Sequence, residues 1–255
     1  MSTCLLITTC DRTELLARNL RRLSTLTLPD EILVVEDGGT DPTTFELCKV
    51  YEEDLGLPIR YIYTHNPGQT MCSHARNVGI NSTACDVVIT CEPEMLFDTD
   101  VIAQLLADHR SRPYAEAINV GTVHHEQAPG TGPCCCCGQE KHTTVNWEAP
   151  WIALYERKWL LDLGGWDESF PDPWGWDDTD LLTRLRIYGV GKYNDLAIEA
   201  THQWHPTQAC PQAPNEAHFT SKGFNGDERR DHPELVANRA AILDGTWGVP
   251  RPRPA

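Results

Sequence analysis

An α/β fold, with a mostly parallel sheet flanked by helices, is what this sequence predicts, and three observations predict it. Short apolar runs rich in Val, Ile and Leu alternate with helical patterns through the first half of the chain. The runs end in polar stretches carrying acids or turn residues, as at the carboxyl edge of parallel strands. The chain has 255 residues and 40% hydrophobic content, enough for one large α/β domain or two small ones.

The elements follow in order. Leu5-Leu6-Ile7-Thr8 reads as a buried strand. A turn follows, with Asp11 or Thr13 as N-cap, and then a helix whose face is Leu15, Leu16, Leu20 and Leu23. Pro29 precedes a second strand, Ile32-Leu33-Val34-Val35, which ends in the tight loop Glu36-Asp37-Gly38-Gly39-Thr40-Asp41. A helix is expected from about Pro42 to Leu55, a strand at Ile59–Tyr63, a turn at Asn66-Pro67-Gly68 and a helix at Ala75–Asn81. Val87–Thr90 is a fourth strand, followed by Cys91-Glu92-Pro93-Glu94 and a helix from about Asp98 to Arg110. A strand at Ile118–Val123 closes the first half. Residues 1–123 therefore read as one ligand-binding half, and 124–146, with its Gly, Pro, Cys and His, as a mobile loop. Residues 147–206 form the second half, with a strand at Trp151–Tyr155, a short helix at Arg157–Leu163 and a late strand at Ala197–Ala200. Residues 207–255 read as a polar loop, a helix from Pro233 to Leu243 and a Pro-Arg tail.

The formal net charge of −16 argues against nonspecific nucleic-acid binding, which needs clustered Lys and Arg. No apolar run has membrane-spanning length, and the N-terminus lacks the basic region of a signal peptide. A cytoplasmic protein is expected. Its eleven cysteines then read mostly as reduced thiols, and Cys134–Cys137 lacks the usual spacing of a zinc site.

Chemistry concentrates in Trp174-Gly175-Trp176-Asp177-Asp178-Thr179-Asp180, where three carboxylates sit at the start of a helical pattern. Gly164-Gly165-Trp166-Asp167-Glu168 lies just upstream. Indoles beside carboxylates suit a sugar, stacking on its C–H face and accepting from its hydroxyls. Glu92 and Glu94, held by Pro93 after a strand, could bind a hard divalent cation, and His202 or His205 could join them. Asp37 could accept from a base or ribose, and Arg76 could contact a diphosphate.

Taken in order, Val34–Asp41, Ala75–Ile80, Cys91–Glu94, Gly164–Glu168 and Trp174–Asp178 resemble the nucleotide-sugar-dependent glycosyltransferases of the GT-A fold, close to family 2 and the galactosyltransferase C-terminal type. The resemblance spans roughly residues 4–206. It implies that Thr8 and Asp37 hold the nucleotide, with Arg76 and Glu92 also on the donor side. It implies Mn²⁺ or Mg²⁺ on Glu94 and His202, with His205 in reserve. Glu92 and Glu94 stand where the family has Asp-x-Asp, a departure of one methylene at each acid. Asp178 matches the catalytic base, with Asp177 beside it, and Trp166, Trp174, Gly175 and Trp176 line the acceptor side. The implied reaction is inverting transfer from a nucleoside-diphosphate sugar, a UDP-sugar first, to a hydroxyl of a glycan, small molecule or modified base. The rival readings are a transferase acting on hydroxymethylated DNA bases and a non-catalytic nucleotide- or sugar-binding domain. A nucleotidyltransferase is disfavoured, because no Gly-rich phosphate loop with a Lys follows the first strand.

Overall fold

The computed structural model describes residues 1–65, 71–112, 114–126, 143–145, 151–171, 175–206, 213–222 and 233–250. Its first half alternates as expected: β1 (Thr3–Thr9), α1 (Thr13–Leu23), β2 (Glu31–Glu36), α2 (Thr43–Leu55), β3 (Ile59–Tyr63), α3 (Cys72–Ser82) and β4 (Val87–Cys91). Then come β5 (Met95–Phe97), α4 (Val101–Ser111), β6 (Glu116–His125), β7 (Thr143–Val145), β8 (Ile152–Glu156) and α5 (Arg157–Asp162). The chain continues with α6 (Asp177–Tyr188), β9 (Gly191–His202), α7 (Ala213–Ser221) and α8 (Pro233–Asp244).

One sheet runs in the order β3-β2-β1-β4-β8-β6-β9-β5, with β7 paired to β6. β1 to β4 are mutually parallel, and β6 and β9 share their direction, while β8, β5 and β7 run against them. The expected mostly parallel sheet is present.

Alternate residues of β1 serve opposite faces. Leu5 and Ile7 join Ile32, Val34 and Ile89 beneath Leu16 and Leu20 of α1 and Ile102 and Leu105 of α4. Cys4 and Leu6 join Leu33, Val35 and Val88 against Ala75 and Val78 of α3, Leu160 of α5 and Leu181 and Leu185 of α6. Both faces are covered, so these strands read as continuous apolar runs rather than alternating ones. Gly79 lets α3 lie directly on the sheet, since a Cβ there would overlap the Leu6 side chain.

Four expectations change. Residue 12, not Asp11 or Thr13, is the N-cap of α1; the Asp11 carboxylate instead accepts from the backbone N–H groups of Thr40 and Asp41 at 2.8 and 2.9 Å. β6 continues through His125 and β7 pairs with it, so both ends of the expected 124–146 loop are strand; residues 127–142 lie outside the described residues. The late strand is twelve residues long, because pairing with β6 extends it back to Gly191. Residues 213–221, read as loop, form α7, whose Phe219 is buried against the body. Among the described residues, no helix is long and apolar enough to cross a membrane.

Candidate active site

The site begins where β4 ends. The Glu92 carbonyl accepts from the Met95 N–H at 3.2 Å, closing a turn with Pro93 in its second position, where proline's fixed φ fits. The turn sends its two acids to different partners. Glu92 Oε1 accepts from Arg76 Nη2 at 2.6 Å, and Glu94 Oε1 accepts from Arg12 Nη1 at 2.6 Å.

β5 then pairs with β9 so that Met95 lies opposite His202, which brings the end of β9 beside Glu94. His202 Nε2 and His205 Nε2 lie 3.8 and 3.6 Å from Glu94 Oε1. Gln203 fastens the segment between them. Its N–H donates to the Glu94 carbonyl at 2.9 Å, and its Nε2 donates to the Leu15 carbonyl at 3.0 Å. Ligand atoms of Glu94, His202 and His205 lie within 4.8 Å of one another. Glu94 Oε2 is buried without a hydrogen-bond partner among the described residues. One carboxylate, two imidazoles and an unsatisfied buried oxygen fit a divalent ion such as Mn²⁺. Burial alone would raise the Glu94 pKa. The nearby His205 imidazole and the Arg12 guanidinium reverse this and hold it at about 2.

Arg76 joins this cluster to the acidic turn. From α3 its Nη1 donates to Asp177 Oδ2 at 2.8 Å and lies 3.4 Å from Asp178 Oδ1. Its guanidinium carbon sits 5.3 Å from the centre of the Trp166 ring. The Trp166 Nε1–H donates to Asp178 Oδ1 at 3.0 Å and fixes that carboxylate.

The acidic turn is built tightly. Gly175 and Trp176 both have positive φ, 97° and 68°, before Asp177 opens α6. That left-handed step is natural for glycine and strained for tryptophan. α7 holds it in place: Asn215 Nδ2 donates to the Gly175 carbonyl at 2.9 Å, and the Phe219 ring packs on Trp176 at 5.1 Å. Asn77 clamps the upstream run. It accepts from the Trp166 N–H at 2.8 Å and donates to the Trp166 carbonyl and to Glu168 Oε1, each at 2.8 Å. Buried Arg184 pairs with Asp180 at 2.7 Å and donates to the carbonyls of Leu163 and Gly165.

The family described as glycosyl transferase family 2 matches residues 4–128, from β1 to just past β6. Over that segment the chain is similar to the family 2 glycosyltransferases. Among solved structures, mannosyltransferase PcManGT from Pyrobaculum calidifontis, in complex with GDP-Man and Mn²⁺, aligns at TM-score 0.60 and 14% identity. The alignment covers 95% of this chain and 74% of that one. S. aureus TarS 1–349 in complex with UDP-GlcNAc gives 0.65 and 13%, over 96% and 71%. GalNAc-T7 with UDP, GalNAc and Mn²⁺ gives 0.67 and 13%, over 90% of this chain and 50% of that one. No curated protein matches the chain significantly. At these identities the solved structures establish the fold, which is GT-A.

On this GT-A frame, Glu92, Glu94, Arg76, Asp177, Asp178, His202 and His205 form one connected cluster at one rim of the sheet. Thr8 sits near the carboxyl end of β1, opposite Val35. Asp37 is 1% exposed, and its carboxylate accepts from the Thr64 hydroxyl at 2.6 Å and from the Met71 N–H. Trp166, expected to line the acceptor side, is also 1% exposed; its indole acts on Asp178 from beneath instead. Trp176 is half-buried against α7. Trp174 lies outside the described residues. Arg12, Asn77, Gln203 and the α7 contacts escaped the sequence reading. Only Arg12 carried a signal, its place just past the carboxyl end of the first strand.

Asp177 titrates abnormally. Burial first, and the neighbouring Asp178 charge second, raise its pKa from 3.8 to about 6, against the pull of Arg76. The folded state therefore holds this proton more tightly than the unfolded chain. The resulting stability is complete below about pH 4 and is lost as pH rises through about 6. Asp177→Asn mimics the protonated form. We expect it to raise unfolding free energy by about 1 kcal/mol at pH 7.5, with no gain at pH 4. Urea unfolding at the two pH values checks this.

Proposed function

We propose that the protein is a metal-dependent, inverting glycosyltransferase that moves a sugar from a nucleoside-diphosphate sugar, a UDP-sugar first, to an acceptor hydroxyl. The observation that carries this is the Arg76 bridge. It ties the Glu92-x-Glu94 turn, with its two histidines, to the Asp178 carboxylate at one rim. Solved structures of the same fold contain Mn²⁺ with GDP-Man or with UDP, which supports the donor and metal classes.

Glu94, His202 and His205 would hold the divalent ion, which supplies positive charge to the leaving diphosphate. Asp178, aimed by the Trp166 N–H, takes the proton of an acceptor hydroxyl placed about 2.6–3.2 Å away. The hydroxyl oxygen bonds to the anomeric carbon as the bond from that carbon to the diphosphate oxygen breaks in line. Inversion follows, and the nucleoside diphosphate leaves. Asp177 and Trp176 border the acceptor, and Thr8 and Asp37 the nucleotide. The −16 charge favours a glycan or small-molecule acceptor over duplex DNA.

Thermal unfolding across a panel of sugar nucleotides, with Mn²⁺ or with chelator, tests the reading. One donor should raise the midpoint by several degrees only with metal. A panel without any metal-dependent shift overturns it.

A further inference from the structure

We infer that Arg12 is an exchangeable counter-ion of Glu94: a divalent cation entering among Glu94, His202 and His205 displaces its guanidinium, which then turns to the donor's diphosphate. This rests on the glycosyltransferase reading of the same site and adds a residue that the reading does not need.

Among the described residues two guanidiniums face the cluster, and they are held very differently. Arg76 contacts Glu92, Asp177 and Asp178 at 2.6, 2.8 and 3.4 Å, and its side chain is 7% exposed. Among the described residues, the Arg12 guanidinium bonds one carboxylate, Glu94, and its side chain is 24% exposed. Arg76 is locked; Arg12 can leave by breaking one ion pair.

The Arg12 backbone is anchored independently of that pair. Asp11 beside it donates its N–H to Glu36 Oε1 at 3.0 Å and accepts from the N–H groups of Thr40 and Asp41. The Arg12 carbonyl accepts from the Leu16 N–H at 3.0 Å as α1 begins. The side chain can therefore swing while the main chain stays in place.

The guanidinium and a metal ion would use the same atom. Arg12 Nη1 lies 2.6 Å from Glu94 Oε1, the oxygen that both histidine Nε2 atoms approach. A divalent ion there repels the guanidinium at contact distance. The formal charges agree with exchange. Glu92, Glu94, Asp177 and Asp178 outnumber Arg12 and Arg76 by two, and a divalent cation in place of Arg12 cuts that excess to one. Once released, a guanidinium fork at the carboxyl edge of β1 matches a diphosphate in shape and charge.

Mn²⁺ titrations of the full chain without donor test this, followed by electron paramagnetic resonance of free Mn²⁺ for wild type, Arg12→Gln and Glu94→Gln. Arg12→Gln should bind Mn²⁺ about tenfold more tightly, because no cation must be displaced. In saturating Mn²⁺, the same variant should bind UDP about tenfold more weakly by calorimetry. Arg12→Lys, which keeps the charge without the fork, should hold wild-type Mn²⁺ affinity within about threefold yet still lose UDP. It also serves if the glutamine variant does not fold. Unchanged or weaker Mn²⁺ binding by Arg12→Gln, with Glu94→Gln losing Mn²⁺, overturns this inference alone. Mn²⁺ binding by Glu94→Gln at wild-type strength overturns the metal site, and this inference with it.

Discussion

Asp178→Asn is expected to lower turnover about a thousandfold or more, with sugar-nucleotide affinity within about twofold of wild type. Removal of a positioned general base typically costs 10²–10⁴-fold. The substitution is close to isosteric, and the surroundings support it. The Trp166 N–H can still donate to the remaining oxygen, and Arg76 retains Glu92 and Asp177. The loss would therefore lie in proton removal rather than in folding or donor binding. Initial rates and calorimetric titration of the donor separate the two. Wild-type turnover by Asp178→Asn would remove this residue from the reaction.

Glu94→Ala is expected to abolish metal-dependent donor binding, with Mn²⁺ affinity reduced about a hundredfold or more. Glu94 is the one carboxylate in the described ligand cluster, and both histidine Nε2 atoms approach its Oε1. The two imidazoles that remain supply no negative charge. Wild-type enzyme in excess chelator should behave like this variant, and added Mn²⁺ should restore the wild type alone. Undiminished activity in chelator would refute metal dependence.

The alternation of strand and helix was legible because buried parallel strands are apolar on both faces, as Leu5 and Leu6 illustrate. β5 was not, because three residues carry no period; Met95–Phe97 become a strand only by pairing with β9. α7 was missed because its sequence is polar and its order comes from distant contacts, Phe219 on Trp176 and Lys222 on Asp167. The acids and histidines stood out because ligating residue types followed strand ends. Their partners did not. Nothing local marks Asn77 as the clamp on Trp166, 89 positions away, or Gln203 as the strap to Leu15, 188 away. Trp166 shows the converse: its composition matched a stacking surface, and its burial made it a support.

The most direct test is a crystal grown with Mn²⁺ and a non-hydrolysable sugar nucleotide, with the metal located by anomalous scattering. The ion should lie on Glu94, His202 and His205 and contact the diphosphate, and Asp178 should face the anomeric carbon from the side opposite the leaving group. Manganese bound elsewhere, or an Asp178 carboxylate directed away from the sugar, would contradict a single reaction centre.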